Sequence, residues 1–216
     1  MTTAITLIIL ILSVIMHEVA HGYAANSLGD PTARLAGRLT LNPIPHIDLM
    51  GSIIIPGLLV LTGSPMLFGW AKPVQYNPYN LRNHRWGEFF VAVAGACTNI
   101  SLAIIFGLIV RFGSTALATG GSTIFSPTAI SLAATIAFIN LFLGIFNLIP
   151  FPPLDGFTAL RSALPWRFSI SFAKFEHSIR SMGVISLILF LFIFSFILSG
   201  PFFAFVSWIF RFITGV

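Results

Sequence analysis

The sequence predicts an all-α polytopic membrane protein, and three observations carry that expectation. Hydrophobic residues make up 56% of the 216, Phe alone numbers 23, and only 8% are charged, against about 25% in soluble domains. With 11 Lys+Arg and 6 Asp+Glu, a soluble domain of this length could not cover its surface with charge. The apolar residues also fall into runs suited to membrane helices of about 20 residues, divided by Gly-, Pro- and Asn-rich loops. The net charge of +5 then reads as membrane topology rather than nucleic-acid binding, provided the basic residues lie in those loops. A single cysteine, Cys97, excludes an intrachain disulfide and a cysteine-based metal cluster.

Taken in order, residues 4–16 open an apolar run that continues, with polar interruptions, to about Ala25. No Lys or Arg precedes it, and it leads into ionisable residues rather than a small-residue cleavage site. A retained membrane helix is therefore expected, not a secretory signal. Further apolar segments lie at about 50–67, 88–112, 127–149, 182–199 and 202–214, giving five to six membrane segments. The stretch Arg34–Leu41 alternates partly with period two and is expected to form a short strand. Segment 50–67 carries Pro56-Gly57 near its centre and Gly63-Ser64-Pro65 near its end, which suits a re-entrant hairpin. The last two segments meet at Gly200-Pro201; joined as one helix they would be about 50 Å long, too long for one span, so a break is expected there. Their aromatic residues suggest lipid or subunit contact, and a homo-oligomer is possible on that ground. With no repeat and no long linker, a single domain over 1–216 is expected, with a core at about 4–156 and a C-terminal helical pair at about 182–214.

The strongest chemical signal is His17-Glu18-Val19-Ala20-His21. Positions i and i+4 share a helix face, so both imidazoles can aim at one point, the arrangement two zinc ligands require. Glu18, one residue on, is placed to act on a water as a base. A chance match would be a fair alternative in a soluble helix. Within a membrane helix each charged residue costs about 2.5–3.5 kcal/mol even on the lenient insertion scale, so three ionisable residues in five positions call for a reason, and metal ligation is the most economical. A catalytic zinc takes three protein ligands. The candidates for the third are few: His46, Asp48, His84, Glu88, Asp155, Glu176 and His177. Asp155 stands out because it follows Asn147-Leu148-Ile149-Pro150-Phe151-Pro152-Pro153-Leu154, a proline-broken segment whose exposed backbone is tolerated only within protein or around a wet cavity. His46 and Asp48, also in a Pro-rich stretch, remain rivals. His84 and His177 sit among loop arginines and read as solvated.

His-Glu-x-x-His in one apolar helix and a later Asn-x-x-Pro-x-Pro-Pro-Leu-Asp-Gly resemble the site-2 protease family of intramembrane zinc metalloproteases, in the compact form without a PDZ or CBS domain. The resemblance runs from about Ile11 to Gly156. It implies one Zn2+ per chain bound by His17, His21 and Asp155, with Glu18 as general base. Gly95-x-x-x-Asn99 resembles the family's central-helix motif, whose Asn helps hold substrate, although many members have Pro where this chain has Ala96. Asn140 and Asn147 precede the Asp at the family's spacing, and Asn147 is the better match for orienting a substrate carbonyl or an oxyanion. For each Asn the alternative is an interhelical hydrogen bond. Phe157 stands where many members have a second Gly. The implied partners are transmembrane protein substrates and the lipid bilayer, with no nucleic acid. No G-x-S-G or G-x-G-D motif offers serine or aspartyl chemistry.

Zinc binding requires the end of the first helix and Asp155 to share one side of the membrane. If 50–67, 88–112 and 127–149 all crossed, they would not, so 50–67 is expected not to span. Under that arrangement Arg34, Arg38, Lys72, Arg82, Arg85, Arg161, Arg167, Lys174 and Arg180 share one side and Arg111 lies on the other. The positive-inside rule then places the motifs toward the cytoplasm of an inner or plasma membrane. A metal transporter using the same His and Asp ligands is the rival reading, and Glu18 separates the two, since a carrier needs no general base.

Overall fold

In the computed structural model, residues 3–62, 71–118 and 126–216 are described. Among them no strand occurs, and four helical stretches are long and apolar enough to cross a membrane: 4–27, 84–118, 127–147 and 188–214. Three of these build the centre of the molecule: α1 (Thr3–Ser27), α4 (His84–Ala118) and α5 (Pro127–Asn147). At 35 residues, α4 is about 52 Å long and extends past the ~30 Å hydrocarbon layer. It packs along both α1 and α5.

Small residues explain how closely these helices approach. The buried stripe of α4 includes Gly87, Ala92, Gly95, Ala96, Ala103 and Gly107, and that of α5 includes Ala133, Ala137 and Gly144. A Cβ placed on Gly144 would lie 2.8 Å from Ile100 Cγ1 and 3.1 Å from the Ala96 carbonyl. In lipid, where apolar burial drives helix association little, such backbone proximity is a main source of cohesion.

The connection from α1 to α4 begins and ends at one end of the bundle. The Arg82 N–H donates to the Leu28 carbonyl at 3.0 Å. Buried Asp30 accepts from Thr32 N, Thr32 Oγ1, Asn77 N and Asn80 Nδ2 at 2.5–3.2 Å. Burial works to raise its pKa, but these donors outweigh burial and hold it below the ordinary carboxylate value.

The strand expected at Arg34–Leu41 does not form. Thr32–Leu35 is a single helical turn, α2, begun at Asp30-Pro31 and closed by Gly37 at φ +67°. Pro at a helix start and Gly past its end are strong local signals, and they override a partial alternation over eight residues. Further on, residues 49–54 form a π turn leading into α3 (Ile55–Leu61). The second half of the expected hairpin, with Gly63, Ser64 and Pro65, lies outside the described residues.

After α5 the chain turns through Leu148–Leu154 into α6 (Asp155–Ala163), then α7 (Trp166–Ser181). A Cβ on Gly156 would lie 2.2 Å from the Leu148 carbonyl oxygen, so only glycine fits this turn. Charge fastens α6 to α4: Arg161 pairs with Glu88, and with Glu176 at 3.0 Å. Ser162 Oγ donates to Glu88 Oε2 at 3.0 Å, while Arg85 donates to the Ser162 and Ala163 carbonyls.

The break expected at Gly200-Pro201 is also absent. Helix α8 (Val184–Ile193), a π turn at Phe194–Leu198 and α9 (Ser199–Thr214) follow one another without a non-helical residue, so the expected pair is one continuous helical stretch. Pro201 lacks an N–H and its ring crowds the carbonyl four residues back. The wider π turn just before it absorbs both defects. At the far end, Arg111 Nη1 donates to the Phe212 carbonyl at 3.1 Å. Arg211 therefore joins Arg111 there, while the other nine of the 11 basic residues lie in segments grouped at the motif end.

Candidate metal centre

Ser13, His17 and His21 recur every four residues along α1 and are all buried against α4 and α5. The close approach depends on Gly95: a Cβ there would sit 2.6 Å from both His17 Cε1 and His21 Nε2. Asp155, the first residue of α6, completes the cluster from the other side. His17 Nε2 lies 2.9 Å from Asp155 Oδ2, His21 Nε2 lies 3.2 Å from it, and the two Nε2 atoms are 3.1 Å apart.

Hydrogen bonding decides what those three atoms are. His21 Nδ1 faces the Val91 carbonyl at 2.7 Å, which can only accept, so Nδ1 carries a proton and, in the neutral ring, Nε2 holds the lone pair. His17 Nδ1 faces Asn99 Oδ1 at 2.6 Å, with the same consequence. With both imidazoles neutral, two lone pairs and a carboxylate oxygen converge, mutually repulsive unless a metal ion or a proton lies between them. Tetrahedral zinc with bonds of about 2.0–2.2 Å separates its ligand atoms by about 3.3 Å, close to the separations seen. Among the described residues this is the one group of His, Cys, Asp and Glu side chains able to hold a metal ion. The donor set, two nitrogens and one oxygen with one ligand position left open, suits a catalytic zinc rather than a closed structural one.

The rival third ligands lie elsewhere. His46 is buried with Nε2 2.9 Å from the Thr40 carbonyl, and Asp48 accepts from Gly51 N at the start of the π turn. His84, the first residue of α4, and His177, within α7, are both exposed, so they are solvated as expected although neither lies in a loop. Glu88 and Glu176 belong to the Arg161 cluster.

Glu18, next to His17, accepts from the Val74 N–H through Oε2 at 2.8 Å, leaving its second oxygen available for chemistry. In the Lys72–Tyr76 stretch two N–H groups are already engaged: Val74 on Glu18, and Lys72 on the His46 carbonyl at 2.8 Å. Of the three asparagines, Asn147 ends α5, is half-buried, and donates to its own Leu143 carbonyl at 3.0 Å. Asn99 and Asn140 are 0% and 1% exposed and lie behind His17, bonded to each other at 2.7 Å. Sequence reasoning did not find the Val91 carbonyl, since a backbone acceptor has no letter. Ser13 was within reach, four residues before His17 on the same face.

Fold and site together define a helical membrane protein with three side chains able to hold a metal ion and a carboxylate beside them. Comparison with known proteins gives the particular family. The model of peptidase family M50 matches residues 5–190. The chain is 40% identical over 162 residues to "putative zinc metalloprotease YwhC" of Bacillus subtilis, covering 73% of this chain and 68% of that protein. It is 30% identical over 155 residues to "putative zinc metalloprotease Rip2" of Mycolicibacterium smegmatis, covering 71% and 55%. No solved structure matches it. The chain belongs to peptidase family M50, the site-2 protease family, which makes it a membrane metallopeptidase and implies zinc as its metal.

Proposed function

We propose that this protein is an intramembrane endopeptidase that hydrolyses peptide bonds within or next to transmembrane segments of other membrane proteins. His17, His21 and Asp155 hold one zinc ion per chain, and the site faces the cytoplasm. The observation that carries this reading is the meeting of three lone-pair donors within 3.2 Å beside a carboxylate that none of them needs. A carrier requires the ligands but has no use for Glu18.

When bound, zinc supplies Lewis acidity at the scissile carbonyl and makes water more acidic. Glu18 takes the proton of the attacking water and returns it to the leaving amine, while its Oε2 is anchored by the Val74 N–H. Asn147, the one asparagine of the three that is not fully buried, orients the substrate carbonyl and donates to the developing oxyanion. A substrate helix must unwind locally, because an intact helix covers its own carbonyls with hydrogen bonds. The cytoplasmic assignment is supported by the grouping of nine of the 11 basic residues at the motif end.

Glu18→Gln separates the readings. The purified variant is expected to keep its zinc and lose cleavage of a membrane-segment substrate by at least about 100-fold, the low end of what a general base contributes. Undiminished cleavage by the variant would sink the mechanism.

A further inference from the structure

We infer that Asn140 and Asn99 form a relay from α5 through α4 that positions His17, holding its ring with Nδ1 protonated and the Nε2 lone pair aimed at the metal position. The inference rests on the metal reading of the site, and it assigns the two buried asparagines to a ligand rather than to substrate.

The orientation of every group in the relay follows from atoms that can only accept. The Ile136 carbonyl faces the Asn140 side chain at 2.9 Å, so the atom facing it is the amide nitrogen. The second hydrogen of that nitrogen goes to Ser13 Oγ at 2.9 Å. Asn140 Oδ1 is thereby turned toward α4, where it accepts from Asn99 Nδ2 at 2.7 Å. The other hydrogen of Asn99 Nδ2 points to the Ser13 carbonyl at 3.3 Å. Asn99 Oδ1 is left facing His17 Nδ1 at 2.6 Å, which must donate. Turning either amide over would set its oxygen against a carbonyl in a site closed to water.

The two histidines are thus held by different means. His21 is fixed by a backbone carbonyl, which no substitution removes, whereas His17 depends on two side chains. Interhelical adhesion alone would need the hydrogen bonds but not their direction. Carboxylate or carbonyl partners on the far nitrogen of a ligating imidazole raise its basicity and set its tautomer, and their loss typically weakens metal binding by about 10–100-fold.

The test compares wild type with Asn99→Leu, Asn140→Leu and Asn99→Asp, purified in detergent. Zinc affinity by chelator competition, thermal stability, and the imidazole nitrogen shifts of metal-free, nitrogen-15 histidine-labelled protein are measured for each. Asn99→Leu and Asn140→Leu are expected to bind zinc about 10–100-fold more weakly, with a mixture of tautomers at His17 and His21 unchanged. Asp at position 99 still accepts from His17 but sets an oxygen against Asn140 Oδ1 and the Ser13 carbonyl. It is therefore expected to melt lower than wild type yet bind zinc nearly as tightly, with His17 Nδ1 protonated. Zinc affinity that follows melting temperature through all three variants would overturn the relay, as would full affinity in both Leu variants. Wild-type protein that binds no zinc would contradict the metal reading instead, and the His17 shifts then decide the relay alone: unchanged Nδ1 protonation in both Leu variants refutes it.

Discussion

Two regions of the helical assembly are held by different physics. Around His17 and His21, α1, α4 and α5 are joined by directional bonds: Ser13, Asn99, Asn140 and the Val91 carbonyl each occupy one required orientation. Around α8 and α9 the joints are ring contacts. Phe202 meets Phe142 at 5.5 Å, Phe194 at 5.2 Å and Phe146 at 6.1 Å between centroids, while Phe205, Trp208 and Phe212 face outward. Directional bonds place atoms to within tenths of an ångström, which a metal site requires. Aromatic packing holds helices together while tolerating small shifts, which suits a segment that only has to span and adhere.

A glycine in each region puts the contrast to its strongest test. At Gly95 an added Cβ meets rigid imidazole atoms at 2.6–2.7 Å. Gly95→Ala is therefore expected to cause the largest loss, zinc affinity falling by about 100-fold or more with helix content by circular dichroism preserved. At Gly107 the added Cβ meets the branch methyl of Ile213, Cγ2 at 2.5 Å, a packing contact between α4 and α9 that involves none of the metal-site atoms. Between these extremes lies Phe202→Leu. It removes several ring contacts worth about 0.5–1.5 kcal/mol each, so the melting temperature drops while zinc stoichiometry holds. A fall in bound zinc there would mean that the two regions are not separable.

Asp30 offers a smaller effect with a defined pH dependence. Its folded pKa lies below the unfolded one, so its contribution is complete above the unfolded value of about 3.9. It is lost as pH falls through the folded value. Asp30→Asn should lower the melting temperature at pH 7, and the gap from wild type should close on acidification below pH ~4. An unchanging gap would assign the loss to packing alone. Gly107→Ala is expected to disturb the site least, with cleavage and zinc content at wild-type levels and the cost confined to a lower melting temperature.

Much of the site was legible because the membrane makes polar residues scarce. His17, Glu18, His21 and Asp155 stood out against apolar neighbours, and the same scarcity reduced the rival third ligands to a few, which the fold then places elsewhere. What escaped was carried by backbone. The Val91 carbonyl, the turn that only Gly156 allows, and the π turn that carries α8 into α9 past Pro201 leave no side-chain signature. The strand expected at Arg34–Leu41 failed for a local reason: Asp30-Pro31 and Gly37 start and stop a helical turn within the span where alternation was read. The roles of Asn99 and Asn140 were half visible, since polarity within an apolar helix marks them as functional but not which neighbour they serve.

The claim on which the rest depends is the ligand set. Zinc K-edge X-ray absorption on the purified protein measures it directly. The expected spectrum fits two imidazole nitrogens and oxygen donors at about 2.0–2.2 Å, and Asp155→Ala, but not His46→Ala, alters it. A third imidazole in the fit, a sulfur neighbour near 2.3 Å, or a spectrum indifferent to Asp155→Ala would contradict the account.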